Sequence, residues 1–75
     1  MNTTTIYFAS HGLGRASIST ADADAICQRV NNVTASNGDS LSHDAVQAEL
    51  DATADRATQE LYAITVESAE VEIDE

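Results

Sequence analysis

Residues 3–10 carry an alternating pattern, with Ile6 and Phe8 on one side of an extended chain and Thr5, Tyr7 and Ala9 on the other. Their β-branched and aromatic side chains suit a strand. His11-Gly12-Leu13-Gly14 then supplies two glycines free to take positive φ, and the stretch around Ile18 reads as a return strand or a loop. Residues 3–19 are therefore predicted to form an N-terminal strand or hairpin. The period then lengthens. Ile26, Val30 and Val33 recur at i, i+4 and i+7 behind a Ser19 or Thr20 cap, with Asp22 and Asp24 near the positive end of the dipole. This predicts a helix over 21–32, weakened at Asn31-Asn32 and stopped by the polar breaker at 36–40. Ser42 can cap a second helix, predicted over 43–61, because Val46, Leu50, Thr53, Ala57 and Leu61 keep to one face. After Leu61 the period returns to two: Ile64 and Val66 alternate with Thr65 and Glu67, and Val71 and Ile73 with Glu70, Glu72 and Asp74. The C-terminal strands are predicted over 62–74. Apolar parity shifts from even to odd between Val66 and Val71, so a bulge or turn is expected near 67–69. The fold class expected is α+β: one domain over 1–75, with a small, mainly antiparallel sheet from the N- and C-terminal strands packed against two helices.

Composition narrows this picture. Of 32 hydrophobic residues in 75, 13 are alanine, leaving 19 larger apolar side chains to fill a core. A chain of this size buries only about 60% of its unfolded surface, so self-association would help it. Cys27 is the sole cysteine, which excludes an intramolecular disulfide and fits a reducing, cytoplasmic compartment. Met1 to Phe8 lacks a basic leader, no run approaches a membrane span, and no membrane partner is expected.

Candidate chemistry is sparse, and the chain is expected not to be an enzyme. Cys27 lies on the same helix as Val30 and reads as a small buried hydrophobe. His43 reads as a surface histidine, with Asp44 pointing elsewhere because adjacent helical residues diverge by about 100°. His11 has no second ligand at a metal spacing. In the one calcium-loop register that Gly38 allows, Val33 and Ala35 fall where oxygen ligands are needed. Gly12 and Gly14 lack the third glycine and the lysine of a phosphate loop. No cofactor or metal is expected.

Charge is the strongest signal. Thirteen acids stand against three arginines and no lysine, for a net charge of −10, which excludes direct nucleic-acid binding through a basic patch. The run from Glu67 to the C-terminus holds five acids in nine residues. On a strand, Glu70, Glu72 and Asp74 share a face at steps of about 6.6 Å, comparable to the spacing of phosphates along a nucleic-acid strand. On the second helix Asp44, Asp51 and Asp55 fall in one stripe, with Asp51 and Asp55 repelling at i, i+4. Two explanations stay open: a solvated or salt-adapted surface, or a face with a cationic partner, for which Asp44, Asp51, Asp55, Glu67, Glu70, Glu72 and Asp74 are the candidate contacts.

A short, lysine-free, strongly acidic αβ chain resembles the small inhibitors encoded by phages and mobile elements, anti-CRISPR proteins above all. The resemblance is one of type across the whole chain and rests on no motif. It implies an inhibitor acting inside the host cell, whose acids occupy the basic channel in which a CRISPR effector subunit holds guide or target nucleic acid. The alternative is a small structural or regulatory module that homodimerises, by sheet-edge pairing or by packing of the second helix, to complete its thin core.

Overall fold

The computed structural model of the protein describes residues 2–12 and 20–73. The predicted return strand around Ile18, Arg15 and Asp74 lie outside these residues. The fold is α+β. Strand β1 (Asn2–His11) is followed by helix α1 (Thr20–Asn37), a 3-10 turn (Asp39–Leu41), helices α2 (His43–Thr53) and α3 (Arg56–Leu61), and strand β2 (Ile64–Ile73). The two strands form one antiparallel ribbon running from Asn2 opposite Ile73 to His11 opposite Ile64. Among the described residues no helix is long and apolar enough to cross a membrane.

The register is unbroken, so the bulge expected near 67–69 is absent and β2 does turn its apolar set over. Ile64 and Val66 share a face with Tyr7 and Ala9 and pack on the helices, whereas Val71 and Ile73 share the opposite, open face with Ile6 and Phe8. The parity change is tolerated because the helical layer covers only the proximal half of the ribbon. From Glu67 to Ile73 every residue of β2 is exposed. The projecting half lengthens the molecule to 44 × 24 × 15 Å, with a radius of gyration of 13.1 Å against about 11.3 Å for a compact chain of this length.

The core is small: Ala9, Cys27, Val30, Val46, Leu50 and Ile64, flanked by Tyr7, Ile26, Tyr62 and Val66. On α1 the buried stripe is Ala23, Cys27, Val30 and Thr34, one step round from the predicted Ile26-Val30-Val33 line. The helix also runs past Asn31-Asn32. Asn31 does not compete for helix backbone, because its amide bonds β1 instead, and the helix ends where Gly38 takes φ 78°, the left-handed conformation that closes many helices. Ser42 caps α2 as expected, its Oγ accepting from the Ala45 N–H at 3.2 Å.

The predicted helix over 43–61 is two helices. Ala54 is extended (φ −143°, ψ 139°) and Asp55 restarts the chain as the cap of α3, accepting from the Thr58 N–H at 2.8 Å. Gln59 makes the break stable. Buried at 3% exposure, it donates from Nε2 to the Ala54 carbonyl (3.0 Å) and to Asp51 Oδ1 (2.8 Å), so the interrupted backbone is satisfied by a side chain. The predicted single face therefore stops early: Val46 and Leu50 are fully buried, but Ala57 is exposed and Leu61 is 58% exposed.

Candidate interaction surface

The ribbon has two edges and two faces, and the sequence treats each differently. Gly12 donates to the Ala63 carbonyl, and Asn31 bonds both the N–H and the C=O of Ala9, accepting at 2.7 Å and donating at 3.1 Å. Together these fix the ladder: even residues of β1 bond to β2, and odd residues point their backbone groups outward. Asn31 thus acts as a one-residue substitute for a third strand at Ala9. Sequence reading missed this role. Its one available signal was an asparagine beside Val30 on the inward side of a helix.

The six candidate acids among the described residues separate by what they touch. Asp51 accepts from Gln47 (3.0 Å) and Gln59 (2.8 Å) and lies 4.0 Å from Arg56; the hydrogen bonds from Gln59 and Gln47, with the Arg56 charge, hold its carboxyl below the usual carboxylate range. The Thr58 hydroxyl and N–H do the same for Asp55. Both acids are committed to the α2–α3 break. Asp44 and Asp51 keep their i, i+7 spacing on α2, but Asp55 leaves the predicted stripe because it lies beyond the end of that helix. Glu67 accepts from Thr65 Oγ1 at 2.8 Å and sits on the open face.

Asp44, Glu70 and Glu72 remain. Glu70 lies opposite Thr5 and Glu72 opposite Thr3 on the helix-side face of the projecting ribbon. Their carboxylates make no ion pair or hydrogen bond with the described residues. The start of α2 is held at this face by an edge contact between His43 and Tyr7, with ring centroids 5.7 Å apart. Tyr7 is two residues from Thr5 along the same side, and Asp44, next to His43 in the chain, has a fully exposed side chain. Asp44 does not point away from His43 as expected: its Oδ1 approaches His43 Nδ1 at 3.4 Å.

Two further candidates from the sequence, His11 and Cys27, are engaged within the fold. His11 Nε2 contacts Asp24. Cys27 is buried, and burial followed by the Asp24 charge pushes its thiol pKa up, away from reactivity. Among the described residues no cluster of three or more His, Cys, Asp or Glu is placed to hold a metal. Comparison with protein-family models, with curated proteins and with solved structures finds no match.

Proposed function

We propose that this is a non-enzymatic binding protein whose acidic face occupies a basic, nucleic-acid-binding groove on another protein, in the manner of anti-CRISPR inhibitors acting on a CRISPR effector. The observation that carries this reading is the Glu70–Glu72 pair. Two carboxylates project from the exposed half of the ribbon about 6.6 Å apart, and their cross-strand neighbours are threonines where a ribbon selected for its own stability would place cations. Asp44, fully exposed at the start of α2, adds to the negative field, while Asp51 and Asp55 serve folding and contribute only at long range. The engaged histidines and the buried thiol favour binding over catalysis. A contact of about 800 Å² per partner would take roughly a sixth of the 4862 Å² surface.

The test is competition. Purified CRISPR effector complexes are incubated with target DNA and the protein at ionic strengths giving Debye lengths of about 10 and about 3 Å. Displacement of DNA at low salt, weakened at high salt and lost in Glu70→Lys/Glu72→Lys, is the expected result. If no effector binds, or if the double reversal leaves binding unchanged, the reading is wrong.

A further inference from the structure

The distal edge of β1 carries neither a charged side chain nor a side-chain clamp among the described residues. The β2 edge carries Glu70 and Glu72, and charged side chains discourage strand addition. The proximal β1 edge is closed by Asn31 at Ala9. Between these guards Thr3, Thr5 and Tyr7 turn their backbone N–H and C=O groups outward with no partner among the described residues. Beside them lies an open groove of about 270 Å³ between β1 and the end of α1, closed on its far side by Ser40 of the 3-10 turn and lined by Ile6, Tyr7, Phe8, Asn31, Thr34 and Ala35, all uncharged. A two-stranded ribbon without a covering layer is marginal, and half of this one has none.

We propose that a second copy of this chain supplies the third strand, pairing β1 with β1 antiparallel about a twofold axis at Thr5. In that register Thr5 faces Thr5 of the partner subunit and Thr3 faces Tyr7 of the partner subunit. These make three hydrogen-bonded pairs that exchange two bonds each and use every free edge group from Thr3 to Tyr7. Sliding one register further would drive Thr3 onto Ala9, where Asn31 already sits, so the clamp sets the limit. Charge selects the same edge. Two chains of net charge −10 that met through β2 would oppose glutamates to glutamates, whereas a β1–β1 junction is lined by threonine and tyrosine and leaves both acidic rows at the outer strands. The result is a four-stranded sheet with an isologous contact, its apolar open faces continuous across the dyad. This inference stands apart from the acidic-face reading and has the opposite salt signature: screening weakens binding to a cationic groove and strengthens pairing between two polyanions.

Sedimentation velocity between about 5 μM and about 1 mM reads the equilibrium directly. The expected result is a concentration-dependent dimer that gains affinity with added salt. Thr5→Pro removes an outward N–H and no ladder bond within the chain, and it should weaken the dimer tenfold or more; Glu70→Pro, its counterpart on the β2 edge, should not. Because the facing Thr5 Cα atoms would lie about 5.5 Å apart, within disulfide reach, Thr5→Cys combined with Cys27→Ala should cross-link under mild oxidation, while Ser68→Cys combined with Cys27→Ala should not. A monomer throughout the concentration range, or a dimer insensitive to Thr5→Pro that fails to cross-link at Thr5→Cys, overturns the proposal.

Discussion

Replacing Asn31 tests the architecture at its narrowest point. Its amide makes two hydrogen bonds to Ala9, at 2.7 and 3.1 Å, and Ala9 is only 3% exposed, so water does not readily take over. Each bond contributes about 0.5–1.5 kcal/mol net, with a further cost when a buried group is left unpaired. Asn31→Ala recovers about 0.5 kcal/mol of helix propensity. The expected net loss is therefore about 1.5–3 kcal/mol, out of roughly 4–11 kcal/mol for a chain of this length. At about 4–8 °C per kcal/mol for a domain of this size, Tm should fall by roughly 6–24 °C. Thermal unfolding followed by circular dichroism reads the loss, and amide exchange at Ala9 shows whether it is local. Asn31→Asp sharpens the test because it keeps the acceptor for the Ala9 N–H but sets a carboxylate against the Ala9 carbonyl. Only the protonated acid can donate there, so its pKa should be raised in the folded state. Its stabilising contribution is then present below the unfolded value of about 4 and lost as pH rises through the folded value. This variant should approach the native chain in acid and fall below Asn31→Ala at neutral pH. An Asn31→Ala protein melting within about 2 °C of the native chain, or an Asn31→Asp protein no worse than it at pH 7, would refute the clamp.

Leu50→Ala removes a fully buried side chain and should cost about 2–5 kcal/mol by urea denaturation. Leu61→Ala, on the face that breaks off at Ala54, should stay within about 0.5 kcal/mol. Asp51 and Asp55 have lowered carboxyl pKa values, so their contribution is present above the ordinary carboxylate range and lost as pH falls through the folded values. Asp51→Asn and Asp55→Asn should each flatten the acid limb of Tm against pH. With burial raising its pKa, the Cys27 thiol should react with a disulfide reagent at neutral pH at least about a hundredfold more slowly than in denaturant; equal rates would mean that the core around it is open.

Much of this protein was legible one element at a time. The period of two in residues 3–10 and after Leu61, the Ser42 cap and the Gly38 stop each follow from rules acting within a few residues, and they gave the α+β class and the pairing of the two terminal strands. The acidity and its concentration toward the C-terminus were equally plain, being properties of composition. Longer-range features were not. Asn31 read as a helix breaker because propensity counts only its own backbone, whereas its amide is consumed by a strand 22 residues away in sequence. Residues 43–61 read as one helix because periodicity cannot register two extended residues, and it was Gln59, Asp51 and Asp55 together that made the break at Ala54 and Asp55 stable. The same limit applied to the acids. Spacing alone grouped Asp51 and Asp55 with Asp44, and only the tertiary contacts separated carboxylates that hold helix ends from those on the projecting ribbon. Parity in β2 was read correctly, but its meaning depended on where the helical layer ends. A strand covered along its whole length needs a bulge to keep its apolar side inward, and a strand covered over half its length can turn that side to the open face, which no pattern within the strand itself reveals.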